Sequence, residues 1–208
     1  MTTLLRIDSS ARLDGSHTRA IGDHAQSLWQ AENPAGEIIQ RNVADGTIEM
    51  IRAETITGYY TSPEAFTPEL TEATALSDAL IAELQSAQTL LITAPIYNFT
   101  VPAALKAWID QIARIGHTFS YENGNFTGLL NARHAVVICA YGAEGYLEDQ
   151  PFAAANFLQP YLQFLLGFLG IETVDFISVQ GTTDPDTVIN AEAQARADLD
   201  RLFAAKAA

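Results

Sequence analysis

Thr89-Leu90-Leu91-Ile92-Thr93, followed by Ala94-Pro95-Ile96-Tyr97-Asn98-Phe99-Thr100-Val101-Pro102, decides how this chain folds. The first five residues form a short continuous apolar run closed by a proline, the pattern of a strand buried on both faces. An amphipathic helix follows over 103–115, with Pro102 suited to its first turn. A strand that empties into a Pro-flanked loop holding two aromatics and an Asn places flat, hydrogen-bonding surface at the carboxyl edge of a parallel sheet. Open α/β sheets bind ligands at that edge.

The pattern repeats on either side. Thr3-Leu4-Leu5-Arg6-Ile7 reads as strand one, then a polar, Gly-containing loop over 9–17 and a helix over 18–29. A second strand is predicted over 37–43. The stretch 44–68 reads as irregular, with Tyr59, Tyr60 and Phe66 inside it, and loops of that length commonly serve as lids or binding loops. Leu76, Leu80, Ile81 and Leu84 share one face of a helix over 70–84. In the helix over 103–115, Leu105, Trp108, Ile109, Ile112 and Ile115 form an apolar stripe. Asn123-Gly124 marks a small turn or hairpin within 118–128. Ala135-Val136-Val137-Ile138-Cys139 is strand four, 156–169 a helix rich in apolar residues, and 174–179 strand five. Asp184 or Asp186 caps a last helix reaching about residue 205. Strands alternating with helices mean an α/β fold, a doubly wound parallel sheet. Five such units suit the strand order 2-1-3-4-5, with a switch point between strands one and three.

At 208 residues the chain is expected to form one domain over 1–208. Its net charge of -14 argues against nucleic acid and anionic membrane surfaces, both of which need clustered Lys and Arg. Cys139 is the sole cysteine, so no internal disulfide can form. No apolar leader and no membrane-length apolar run is visible, which leads to the expectation of a cytoplasmic protein.

Three segments at the sheet's carboxyl edge could carry chemistry. The first is Asp8-Ser9-Ser10-Ala11-Arg12-Leu13-Asp14-Gly15-Ser16-His17-Thr18-Arg19, which runs into a helix. The free N–H groups of that helix start, with hydroxyls at Ser10, Ser16 and Thr18, form a phosphate cradle; plain N-capping by Ser16 is the alternative. It is neither a Walker loop nor Gly-x-Gly-x-x-Gly. The second is the loop Pro95, Ile96, Tyr97, Asn98 and Phe99, able to aim backbone N–H groups at a planar ligand. The third is Ala140-Tyr141-Gly142-Ala143-Glu144-Gly145-Tyr146, whose glycines permit a tight turn; a simple connecting turn is the alternative. His17, His24, His117 and His134 show no ligand spacing, so no metal site is expected. No Gly-x-Ser-x-Gly elbow is present.

Taken together these residues resemble the FMN-dependent NADH azoreductase / NADH:quinone oxidoreductase family. The likeness is carried by Ser9-Ser10 with Ser16-His17-Thr18, Pro95-Ile96-Tyr97-Asn98-Phe99 and Leu105-Lys106-Ala107-Trp108-Ile109-Asp110. It continues through Gly116-His117-Thr118-Phe119-Ser120-Tyr121 with Gly128-Leu129, Pro160-Tyr161-Leu162, and Gly167-Phe168-Leu169-Gly170-Ile171. It implies a flavodoxin-like three-layer sandwich and a homodimer with one FMN per subunit. By that resemblance Ser10, Ser16, His17 (through its backbone) and Thr18 hold the phosphate. Pro95, Ile96, Tyr97, Asn98 and Phe99 lie along the ring, and Ala140, Tyr141, Gly142 and Ala143 face its pyrimidine edge. Similar proteins carry a Ser and often a Gly-Gly pair in that last turn. Here Ala140 lacks the hydroxyl and Ala143 replaces a glycine, leaving backbone donors to serve.

The implied activity is transfer of two electrons from NADH or NADPH to quinones and aromatic azo compounds in ping-pong fashion. The flavin carries the chemistry, with Asn98 and Phe119 in support. Phe119, Tyr59 and Tyr60 are candidate aromatic walls for substrate, core packing being the alternative for Phe119. A flavodoxin-type electron carrier and an FMN-binding regulatory module without turnover are the rival readings.

Overall fold

The computed structural model describes residues 2–206. Its main sheet contains β1 (Thr3–Asp8), β2 (Glu37–Asn42), β3 (Thr89–Pro95), β6 (His134–Ala140) and β7 (Thr173–Val179), all parallel, in the order β2-β1-β3-β6-β7. Counting only these strands, the order is the expected 2-1-3-4-5. A separate antiparallel pair, β4 (Phe119–Glu122) and β5 (Asn125–Gly128), turns at Asn123-Gly124, both with positive φ.

Strand alternation sorts the apolar side chains onto two faces. Leu5, Ile7, Leu90, Ile92, Val137 and Cys139 belong to one buried cluster, with Leu80 and Leu84 of α3 (Pro68–Ser86), Leu105 and Trp108 of α4 (Ala103–Ile112), and Leu162 of α5 (Leu158–Phe168). Leu4, Leu91, Val136 and Ile138 face the other way, against Ile21, Ala25 and Trp29 of α1 (His17–Glu32) and Leu199 and Phe203 of α6 (Pro185–Lys206). The result is the three-layer, doubly wound sandwich.

Three expectations shift. The stretch 44–68 contains a helix, α2 (Ala53–Tyr60), and a 3-10 turn, Pro63–Ala65. Only Thr55 and Gly58 of α2 are buried, too short a pattern to declare a helix in advance. Gly58 is required, because a Cβ there would stand 2.5 Å from Thr74 Cγ2 on α3. Next, α4 stops at Ile112 rather than 115. The Thr118 hydroxyl donates to the Ile112 carbonyl at 2.6 Å and accepts the Arg114 N–H at 3.1 Å, closing the chain on itself. Ile115 thereby leaves the stripe and is 38% exposed. Finally, the apolar helix begins at Leu158, after a 3-10 turn at Ala153–Ala155. Of the two candidate caps for α6, Asp184 is the one used: it accepts the N–H groups of Asp186 and Thr187.

The β4–β5 pair sits hard against the end of α5. A Cβ on Gly128 would lie 2.2 Å from the Gly170 nitrogen, so that approach of two backbones requires glycine. No helix among the described residues is long and apolar enough to cross a membrane.

Candidate functional site

The carboxyl ends of β1, β3 and β6 open onto one cleft of about 200 Å³. Its lining includes Ser10, Ser16, His17 and Thr18 after β1, Pro95, Ile96 and Tyr97 after β3, and Ala140 and Gly142 after β6. Three segments far apart in sequence thus meet at the switch point between β1 and β3.

The β1 loop is built to leave donors free. Ser16 is the N-cap of α1, its Oγ accepting the Arg19 N–H at 3.5 Å and lying 3.3 Å from Thr18 Oγ1. The capping reading therefore holds, and it is compatible with a ligand because the first backbone N–H groups of a helix have no intrahelical acceptor. Ser10 Oγ accepts the Arg12 N–H at 3.2 Å. Ser9, by contrast, is locked to β3 through a 2.7 Å bond to the Thr93 carbonyl. His17 is tethered outward, Nδ1 lying 2.8 Å from Glu192 on α6.

The β3 loop is a closed two-residue hairpin. Tyr97 N–H donates to Thr100 O at 3.0 Å, and Thr100 N–H returns to Tyr97 O at 3.2 Å. Asn98 and Phe99 between them have φ of 47° and 76°, left-handed conformations that L-residues other than glycine resist. The Tyr97 hydroxyl accepts the Ala11 N–H at 3.3 Å, tying this loop to the first one across the cleft. The Ile96 N–H donates to the Ala140 carbonyl at 2.8 Å, fixing it to the third. Asn98 and Phe99 are exposed at the rim and do not line the cleft.

At the β6 turn, Ala140 and Gly142 face the cleft while Tyr141 is fully buried and Ala143 lies outside. Burial holds the Tyr141 hydroxyl well above the ordinary tyrosine range, so it stays protonated. The Tyr141 side chain lies in the core and does not line the cleft, and its backbone is committed as well, the N–H donating to the Val179 carbonyl at 2.8 Å and the carbonyl accepting the Thr182 N–H at 3.0 Å. Strand alternation already points this way, since Tyr141 continues the series Ala135, Val137, Cys139 on a single sheet face.

The structure does not bring Tyr59, Tyr60 or Phe119 to this cleft. Tyr59 is held on α4, its hydroxyl 3.0 Å from Gln111 Oε1 and its ring 4.9 Å from the Arg114 guanidinium carbon. Tyr60 is 79% exposed on α2. Phe119 packs in an aromatic cluster, 4.8 Å from Phe168 and 6.0 Å from Phe126.

Arg12 and Gly15 of the first candidate segment also line the cleft, and so do Thr182 and Thr183, which lie outside all three candidate segments. Thr182 and Thr183 follow β7, and their hydroxyls reach back to the carbonyls of Tyr141 at 3.2 Å and Gly142 at 2.8 Å. Their signal was positional, because β7 adjoins β6 and its carboxyl end reaches the same edge.

Charge completes the picture. The chain carries 25 acidic residues, yet no carboxylate lines the cleft, where Arg12 stands beside hydroxyls and a helix start. Such a surface suits an anion.

Comparison with known proteins agrees. Residues 2–203 match the family described as having a flavodoxin-like fold. The FMN-dependent NADH:quinone oxidoreductase of Xanthobacter autotrophicus is 43% identical over 175 residues, 84% of each chain. That of Nostoc punctiforme is 35% identical over 204 residues, 98% of this chain and 99% of its own. This chain belongs to the FMN-dependent NADH:quinone oxidoreductase family. Among solved structures, an FMN-dependent NADH-azoreductase from Bacillus anthracis in complex with FMN superposes with a TM-score of 0.85 at 26% identity, covering 98% of this chain and 100% of that one. Another B. anthracis azoreductase reaches 0.87 at 19% identity, covering 98% and 99%, a likeness of fold alone. Membership of this family agrees with the resemblance read from the motifs around Tyr97 and Thr118. Among the described residues no cluster of three or more His, Cys, Asp or Glu stands ready for a metal ion.

Proposed function

We propose that this protein binds FMN in the cleft between the β1, β3 and β6 loops and uses it to transfer two electrons from NADH to quinones and aromatic azo compounds. The observation that carries the reading is the lining itself: hydroxyls and a helix start at one end, a flat proline-flanked loop at the other, and no carboxylate between. That donor set fits a phosphate joined to a planar ring.

In this reading Ser10, Ser16, Thr18 and the His17 N–H hold the phosphate. Pro95, Ile96 and Tyr97 support the ring, with Asn98 and Phe99 at its exposed rim. Ala140 and Gly142 meet its pyrimidine edge through their backbones, with Thr182 and Thr183 closing that side. When bound, FMN would supply a two-electron carrier between NADH and the acceptor, with donor and acceptor entering the same cleft in turn, a ping-pong scheme. The chain's own residues orient the ring, keep water from its inner face and present N–H donors to the edge where negative charge develops. No side chain is asked to act as nucleophile. Cys139 is fully buried and its thiol is pushed up to about 12 by burial, which removes it from such a role.

We further infer a single-domain cytoplasmic protein acting as a homodimer. The exposed rings of Tyr121, Phe126 and Phe164 around Phe119 and Phe168 support a second copy as partner. The purified protein should be yellow and should oxidise NADH steadily once benzoquinone is added; size-exclusion mass tests the dimer. A protein that stays colourless after incubation with FMN defeats the reading. Bound FMN without turnover makes the chain a carrier or a sensor instead.

A further inference from the structure

Neither Asn156 nor Phe157 lines the cleft, yet together they join two of its walls. The Phe157 N–H donates to the Phe99 carbonyl at 2.9 Å, on the far side of the strained hairpin after β3. The preceding residue, Asn156, is 7% exposed and uses both amide protons: Nδ2 donates to the Tyr146 carbonyl at 3.1 Å and to the Tyr141 hydroxyl at 3.3 Å. Its Oδ1 accepts the Gln159 N–H at 3.3 Å, anchoring the pair to the first turn of α5.

These bonds matter because of what they hold. Asn98 and Phe99 both sit at positive φ, a strained arrangement that persists only when surroundings over-determine it. The tip bonds between Tyr97 and Thr100 close the hairpin but do not locate it in space. Its location comes from Ile96 at the base, from the Tyr97 hydroxyl on the Ala11 N–H, and from the Phe99 carbonyl at the tip. Tyr141 is the buried root of the β6 turn, stacked on Tyr146 with ring centroids 5.3 Å apart.

We propose that Asn156 is a positioning residue that sets the spacing between the 96–99 loop and the 140–142 turn, and hence the seat of the flavin ring. This rests on the FMN reading given above. The side-chain amide suits the task, since a carboxylate cannot donate to the Tyr146 carbonyl and an apolar residue satisfies neither partner. The phosphate end of the cleft, at Ser10 and 16–18, has no bond to Asn156, so the effect is confined to the ring end.

The test compares FMN with riboflavin, which lacks the phosphate, on the full chain. Dissociation constants are measured by fluorescence quenching for the native protein, Asn156→Ala and Tyr141→Phe, together with the visible circular dichroism of the bound flavin. For Asn156→Ala both constants should rise about tenfold, the weight of a buried hydrogen bond and its stranded partner. Their ratio should stay constant, and the visible dichroism band should change. Tyr141→Phe, which removes one hydroxyl and keeps the ring, should show a smaller change of the same kind even if Asn156→Ala folds poorly. A native-like dichroism band in both variants overturns the proposal. So does a collapse of the riboflavin-to-FMN ratio, which would mean that the whole cleft loosens. If the native protein binds neither flavin, the FMN reading itself fails, a result distinct from either.

Discussion

Replacing Asp8 with Ala should unfold this protein more readily than any other single change beneath the cleft. Asp8 ends β1 with its side chain wholly buried. It accepts from Thr93 Oγ1 at 2.8 Å, Gln40 Nε2 at 2.8 Å and Arg6 Nε at 3.1 Å, with Arg19 Nη1 at 3.5 Å. Arg6 and Arg19 are themselves 3% and 14% exposed, so one carboxylate answers two interior guanidiniums. Arg6 retains Asp23 at 2.6 Å and Gln26 at 3.1 Å when Asp8 is removed. Arg19 retains the Ser10 carbonyl at 3.0 Å and Asn42 at 2.7 Å, but its Nε has no partner even in the intact protein. Removing one member of a buried pair costs about 3–5 kcal/mol; the bonds that Arg6 keeps place Asp8→Ala near the lower end of that range. At roughly 2–4 °C per kcal/mol for a chain of this size, the melting midpoint should fall by about 10 °C. Thr93→Val is the control, deleting one hydroxyl that bonds the same carboxylate, and should cost about 1 kcal/mol. Urea unfolding followed by far-ultraviolet circular dichroism measures both. If Asp8→Ala is no more harmful than Thr93→Val, the buried guanidiniums are reaching solvent or other anions, and the reasoning is refuted.

Four further outcomes follow from other sites. Gly128→Ala should lower stability by more than about 2 kcal/mol, because the new methyl meets the backbone of Leu169 and Gly170 and neither can yield; an unchanged urea midpoint would contradict it. Cys139 should resist alkylation at pH 8 until the protein unfolds, since its thiol is pushed up to about 12 and is wholly buried; fast labelling of the native protein would contradict it. His117 should titrate below the ordinary histidine value of 6.5, because burial first and the Arg114 charge second disfavour its charged form. The unfolded chain then takes up a proton first, so this histidine's contribution to stability declines as pH falls through 6.5 toward the folded value, and a proton NMR titration reads the midpoint. Asn98→Ala should slow NADH oxidation about tenfold while FMN remains bound, and an unaltered rate removes Asn98 from any supporting role.

The sheet was legible because β3 and β6 are buried on both faces and therefore read as unbroken apolar runs, Leu90-Leu91-Ile92 and Ala135-Val136-Val137-Ile138. Edge and surface elements were less so. The helix α2 buries little beyond Thr55 and Gly58, so its periodicity is nearly silent, and the early stop of α4 depends on a Thr118 hydroxyl turning back six residues. The lining residues found by reading loops after strands were those whose strands carried the strongest signal. Thr182 and Thr183 escaped because β7 is flanked by nothing that marks its far end as part of the cleft.

The Tyr97–Thr100 hairpin shows where local rules stop being a guide. A two-residue turn with both central φ positive calls for Asn-Gly, and Asn98 obeys while Phe99 does not. By propensity alone this segment should relax into another loop shape. What prevents it lies elsewhere in the chain: the Phe157 N–H at its tip, Ala11 at the Tyr97 hydroxyl and Ala140 at its base. Each of those partners belongs to a segment that itself borders or supports the cleft. Sequence could therefore name the loop from its proline frame and aromatic content, but not its shape, because the shape is a property of four segments at once. A strained, exposed phenylalanine held by so many separate contacts is hard to explain as packing, since more than half of Phe99 remains in solvent. It is readily explained as a surface kept rigid for something that lies upon it.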